Sequence, residues 1–160
     1  MADARIFQDL KHDHDRHRDL LEKLGNTEGA SDERRELFEE LRRELQAHAA
    51  AEEESLYATM LGCPDLRDEA RHSVSEHKEI DDFLGELIET DMSSGAWLQK
   101  FKDMRHRYLH HIEEEEEDMF PAAADQLTDE AEKRIAKVFE DRKPRELERA
   151  EDELPGDARE

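Results

Sequence analysis

Cysteine is nearly absent from this chain. Cys63 is the single thiol, so no internal disulfide can close, which excludes a cross-linked small scaffold and fits a reducing compartment. It sits in Gly62-Cys63-Pro64, a helix-ending turn, where a loop residue is a simpler reading than a nucleophile. Turn residues are scarce too: 6 glycines and 4 prolines leave little punctuation, and the abundant Glu, Leu, Arg and Ala favour helix. No apolar run is long enough to span a bilayer. The N-terminal Met-Ala-Asp-Ala-Arg lacks the apolar stretch of a secretory leader, so a cytoplasmic location is expected. Basic residues are outnumbered 24 to 46 by acidic ones, a net charge of −22. Such a surface repels phosphate backbones and anionic lipid, which argues against nucleic-acid or membrane partners. The same acidity would suit a salt-adapted source. No Gly-rich phosphate loop, nucleophile elbow or CxxC pair is present.

What remains is a highly charged chain with regular apolar spacing, which separates it from a disordered polyelectrolyte. A first helix is expected over about 4–25, with Asp3 as N-cap and Gly25-Asn26 as stop. Phe7, Leu10, His14, His17, Leu21 and Leu24 alternate by three and four, a narrow inward seam. Ser31 caps a second helix over about 32–61, with Phe38, Leu41, Leu45, His48, Glu52 and Leu56 on its seam. Asp65 is placed to cap a third, about 66–90, with Ala70, Val74, His77, Leu84 and Leu87 inward. A fourth, about 95–119, carries Trp97, Phe101, Met104, Tyr108, His111, Glu115 and Met119, and Pro121 closes it or bends away. Thr128 caps a short fifth helix, about 129–141. The fold expected is all-α: an up-down-up-down four-helix bundle with a short additional C-terminal helix. One domain covers 1–141, and 142–160 reads as a charged, frayed or flexible tail.

Two stretches interrupt the apolar seams in the same way. His48-Ala-Ala-Ala-Glu52-Glu53 ends in Leu56-Tyr57, and His111-Ile-Glu-Glu-Glu115-Glu116 ends in Met119-Phe120. Residues four apart lie one above the other on a helix face, so each His–Glu pair spans roughly 6 Å along its helix. His14 and His77 are inward on the other two helices. Carboxylates on buried seams are expensive unless paired or bound to metal. A lone inward His is more often a packed core residue, but six such groups on four helices favour cation binding. Two carboxylates placed to bridge and four imidazoles suit iron best, then manganese or an iron–manganese pair; zinc, calcium and magnesium fit less well.

The run Asp13-His14, His48-x3-Glu52-Glu53 to Tyr57, Glu76-His77, and His111-x3-Glu115-Glu116 to Phe120-Pro121 resembles the hemerythrin-like, or HHE cation-binding, family over about residues 4–140. The resemblance implies that His14, His48, Glu52, His77, His111 and Glu115 are ligands of a non-haem diiron centre bridged by the two glutamates. It departs from the oxygen carriers at two places. Ser73 stands where they supply a further His. Their last carboxylate is an Asp five residues after its His, whereas here Glu115 follows His111 by four. One ligand fewer leaves an open position, which favours reaction with oxygen, peroxide or nitric oxide over reversible carriage.

The function expected is therefore a diiron protein that binds or reacts with these small molecules, in oxidative stress or iron and oxygen sensing. The alternative is a diiron enzyme with catalase- or peroxidase-like activity, and a regulatory module ranks lower. His17, Tyr57 and Tyr108 are expected as core residues bordering the site. Glu53 and Glu116 are the glutamates most apt to support the ligands. His12, His72, His106 and His110 fall off the seams and are expected to be solvated.

Overall fold

The structure, a computed structural model, describes residues 3–155. It is all-helical: α1 (Arg5–Gly25), α2 (Asp32–Glu52), α3 (Ala58–Leu61), α4 (Arg67–Glu89), α5 (Gly95–Glu114), α6 (Phe120–Gln126) and α7 (Asp129–Asp152). Two π-helical turns, Glu53–Tyr57 and Glu115–Met119, join α2 to α3 and α5 to α6 without a break in the rod.

Two expected caps, Ser31 and Thr128, are present, and Ser94 supplies a third. Ser31, Ser94 and Thr128 each accept a hydrogen bond from the backbone N–H three residues on, at 3.1, 3.2 and 3.1 Å, which satisfies a donor the helix leaves orphaned. Two proposed caps are not used. The first helix begins after Ala4 and the α4 helix after Leu66, neither with a side-chain cap, so Asp3 and Asp65 do not serve that role.

Pro121 does not close the fourth rod. It lies in the first turn of α6, directly after a π turn. There the regular i−4 ladder is already interrupted, so the missing N–H costs little.

The expected short fifth helix and loose tail are corrected by α7, which runs unbroken through Pro144 to Asp152; residues 156–160 lie outside the described part. The cause is long-range. Buried Arg42 of α2 donates from Nη1 to the carbonyls of Ala150 and Glu153, at 3.0 and 3.2 Å, and Gln46 adds a bond to Glu153 O at 3.2 Å. These close the carbonyls that a helix end leaves open. Glu132, Ile135, Ala136, Phe139, Glu146 and Ala150 are buried along one face, against α2, α1 and the first π turn.

The interior has two apolar clusters. Phe7, Leu10, Leu56, Met60, Phe120 and Phe139 belong to the first, and Leu21, Leu24, Phe38, Leu84, Trp97 and Phe101 to the second. Each of α1, α2, α4 and α5 contributes to one cluster near one end and, directly or through its π turn, to the other near the opposite end. Midway between, every one of these rods carries a histidine: His14 and His17, His48, His77 and His111, all buried. The bundle therefore encloses a polar belt between two hydrocarbon layers. None of its described helices is long and apolar enough to cross a membrane.

Candidate metal centre

The belt gathers all six residues singled out from the sequence. Relative exposures are 0% for His14 and Glu52, 2% for His48, 4% for His77 and 1% for His111 and Glu115. Glu52 lies between the imidazole of its own rod and one from another: its Oε1 is 3.6 Å from His48 Nε2 and 3.2 Å from His77 Nε2. Glu115 is placed likewise, in contact with His111 Nε2 and 3.9 Å from His14 Nε2. Two overlapping groups could each hold a cation: Glu52, His77, His111 and Glu115, and His14, His48 and Glu52. Glu52 belongs to both.

Three of the four imidazoles are oriented from behind. His14 Nδ1 is 2.8 Å from Glu116 Oε2, His48 Nδ1 2.8 Å from Asp13 Oδ2, and His111 Nδ1 2.9 Å from Glu76 Oε1. An ionised carboxylate only accepts, so each of these Nδ1 atoms carries a proton and Nε2 is the atom turned to the belt. Asp13 and Glu116 are in turn countered by Lys143, at 2.7 Å, and Arg18, at 2.7 Å. His77 is the exception: its Nδ1 is 3.6 Å from Glu53 Oε2, beyond hydrogen-bond reach.

The inward atoms, by contrast, lack protein donors. His14 Nε2, His48 Nε2, both oxygens of Glu52 and Glu115 Oε2 are buried with no hydrogen-bond partner in the protein. Native interiors hold only a few such atoms, usually scattered, whereas these five lie in one place. They are acceptors that converge, so protein groups cannot satisfy one another. A cation can, and the donor set of imidazole nitrogen and carboxylate oxygen fits iron or manganese.

Electrostatics of the protein alone show the same strain. Burial, reinforced by the charge of Glu115, pushes the Glu52 carboxyl well above the carboxylate range. Burial also opposes the charge on Glu115, but the adjoining His111 imidazolium overrides it and holds that carboxyl well below. His111 resists its own burial by the same contact and rises to about 9. Burial lowers His48 to about 3 despite the Asp13 hydrogen bond. Without a metal, then, the two carboxylates cannot both be charged and both be comfortable.

Sequence reasoning placed Tyr57, Tyr108 and His17 at the border as core residues; they are buried and also make polar contacts. The Tyr57 hydroxyl donates to Glu115 Oε1 at 2.7 Å, and its ring stacks on His77 at 5.2 Å. His17 Nδ1 is 2.7 Å from the Tyr108 hydroxyl. Of the two supporting glutamates proposed, Glu116 does orient a ring, whereas Glu53 stands too far from His77 for a hydrogen bond. Asp13, Glu76 and Lys143 were not recognised as supports. Asp13 and Glu76 each precede an inward His directly, a signal visible in the sequence; Lys143 left none.

The π turns were missed as well. A readable trace exists: His48-Glu52-Leu56 and His111-Glu115-Met119 step by four twice running, where an α-helical seam alternates three and four. Two consecutive steps of four stay on one face only if the turn is widened. The widening begins directly after Glu52 in one rod and at Glu115 in the other, and lets the glutamate and the following aromatic, Tyr57 or Phe120, share the interior.

Residues 5–123 match the family model described as Hemerythrin HHE cation binding domain. The fold is similar to the crystal structure of a Hemerythrin HHE cation binding domain-containing protein from Mycobacterium kansasii, with 26% sequence identity, a TM-score of 0.76, and 88% of this chain and 85% of that chain covered. No curated protein matches the chain significantly. The matched segment contains both His-x3-Glu motifs and both inward histidines, and the chain belongs to the hemerythrin HHE cation-binding family.

Proposed function

We propose that this chain is a non-haem diiron protein of the hemerythrin type that binds or reacts with oxygen, peroxide or nitric oxide. His14, His48, His77 and His111 would hold the two ions terminally, with Glu52 and Glu115 between them; manganese could replace one iron. The observation that carries this reading is the cluster of buried acceptor atoms without protein donors, backed by three ring Nδ1 atoms already committed to carboxylates. The passage of each long rod between the two apolar clusters supports an up-down-up-down order, which brings four seams to one level.

When bound, the metal would supply Lewis acidity and redox chemistry. The protein's own groups do the rest. Asp13, Glu76 and Glu116 hold the imidazoles in the ligating tautomer. Tyr57 holds Glu115 through its hydroxyl. The apolar clusters on either side restrict water. Ser73, buried, presents a short hydroxyl where the resemblance to oxygen carriers calls for another imidazole. That leaves room for a small ligand and favours reaction over reversible carriage. The single cysteine supports a cytoplasmic setting.

The test is expression with iron, followed by metal analysis and an optical spectrum. About two irons per chain are expected from the donor count, with charge-transfer bands of bridged iron. One iron or none in the purified, reloaded chain overturns the assignment. Added peroxide then separates the reactions: vigorous oxygen evolution would move the reading to a peroxide-disproportionating enzyme.

A further inference from the structure

The buried centre has a surface neighbour. A pocket of about 320 Å³ is lined by Asp68, Glu69, His72, Ser73, Glu114, Glu115, Asp118 and Met119. No lysine or arginine is among these residues. Glu115, with Ser73 beside it, belongs to both the pocket wall and the inner belt, and its Oε2 is buried without a protein partner. At the rim, His72, Glu76 and Glu114 offer ligand atoms that all lie within 4.8 Å of one another. His72 Nε2 is 3.5 Å from Glu76 Oε1 and 3.8 Å from Glu114 Oε2.

Glu76 connects this rim to the interior. Its Oε1 is the atom that orients His111. The carboxylates behind His14 and His48 are each countered by a lysine or arginine, Arg18 and Lys143. Among the described residues Glu76 has no such partner within ion-pair distance and faces His72 instead. Glu76 is 4% exposed, so water screens it little, and its neighbours of opposite sign are the rings of His111 and His72 rather than a permanent cation. Elsewhere on the pocket wall, partial burial and the charge of Asp118 raise the pKa of Glu69, a sign of crowded negative charge. A cation at the rim would relieve that crowding and stand beside Glu76 as Arg18 and Lys143 stand beside the other two carboxylates.

We propose that His72, Glu76 and Glu114 form a second, exchangeable divalent-cation site, from which metal passes down the acid-lined pocket to Glu115 and the inner centre. The imidazole supplies selectivity for a transition ion over calcium or magnesium. His72 is exposed and Glu114 half-buried, which keeps the site weak enough to release. The transfer half of this proposal rests on the diiron reading above; the binding half does not.

The probe is Mn2+ alone, added to the full chain, with histidine ring signals followed by NMR. Mn2+ should broaden His72 and His110, which adjoins Glu114 at 3.1 Å, at concentrations that leave exposed His12 and His106 sharp. In the double variant His72→Ala, Glu114→Gln the selective broadening of His110 should weaken by about tenfold or more in Mn2+ concentration. Circular dichroism should be unchanged, because neither side chain is buried. Equal broadening of all exposed histidines, or selectivity that survives in the variant, would overturn the site. For transfer, anaerobic Fe2+ loading should slow several-fold in the variant, on the order of the lost affinity, and reach the same final iron content. Equal loading rates would overturn the transfer route. A wild-type chain that takes up no inner iron would instead refute the diiron reading, and leave the Mn2+ result to decide the rim site.

Discussion

Lys143 Nζ donates to Asp13 Oδ2 at 2.7 Å across 130 residues of chain, and the same oxygen accepts from His48 Nδ1 at 2.8 Å. A helix outside the matched family segment thus reaches the imidazole of the belt through one carboxylate. Lys143 also bonds Glu44 at 3.2 Å. Burial opposes the charge on Asp13, but the His48 hydrogen bond and Lys143 keep its carboxyl well below the usual range.

Asp13→Ala should therefore free the His48 ring without removing a ligand. Metal affinity should fall by about 10–100-fold, read by chelator competition, while helix content stays unchanged. Unaltered affinity would show that Asp13 only neutralises Lys143.

Replacing a proposed ligand should do more. In His48→Ala or Glu115→Ala the iron content should drop, and the rise in melting temperature that metal confers on the wild type should shrink with it. Ligand binding to the folded state alone stabilises by about 2.7 kcal/mol at a hundredfold excess over Kd. Calorimetry with and without iron measures this. Wild-type iron content in both variants would remove these residues from the ligand set.

Tyr57→Phe keeps the ring on His77 but deletes the hydroxyl that donates to Glu115. Hydrogen bonds to charged groups contribute about 1.5–3 kcal/mol, so a stability loss of that order is expected in urea melts. The loaded protein should also show a shifted optical spectrum. A variant with wild-type stability and spectrum would leave Tyr57 a packed ring only.

Lys143→Met should destabilise the fold by about 1.5–3 kcal/mol near neutral pH through the lost charged hydrogen bonds. The pH dependence has a definite sign. Burial works against the Glu44 carboxylate, but its contacts with His17 and Lys143 lower its pKa from 4.5 to about 2. A depressed carboxyl stabilises above its unfolded pKa and loses that contribution as pH falls through the folded one. The difference between wild type and variant should therefore narrow as pH drops from about 4.5 to about 2.

Asp9 behaves in the opposite sense. Burial, with the neighbouring charge of Glu140, raises its pKa from 3.8 to about 6, and its Oδ2 is buried without a partner. Between these values the folded state binds more protons than the unfolded one, so stability falls as pH rises. Asp9→Asn should stabilise the protein at about pH 7 and have little effect below about pH 4. Denaturant melts at the two values test this; equal effects at both would refute it.

The polar belt was legible because it broke a pattern. His48, Glu52, His111 and Glu115 sit where the 3-4 spacing demands hydrocarbon, and the same repeat in two rods made chance a poor account. Ser31 and Thr128 were legible as caps because capping is a local contact. Asp3 and Asp65 failed as caps because a neighbouring acceptor is only an opportunity; in each case the chain starts its helix one residue later. The helical tail was illegible. Its seam, Phe139 to Ala150, runs through Lys143, which looks solvated until Asp13 and Glu44 are beside it, and ends on carbonyls that Arg42 of a distant helix closes.

Composition and periodicity by themselves determined an all-helical chain whose inward faces carry imidazoles and carboxylates, because both follow from spacing along one helix. Tertiary structure alone decided which imidazole faces which carboxylate, that Asp13, Glu76 and Glu116 turn three rings the same way, and that α7 is held at Lys143 and Arg42. Those are contacts between distant parts of the chain. Their partners are set by how the rods lie against one another, which no spacing within a single rod encodes.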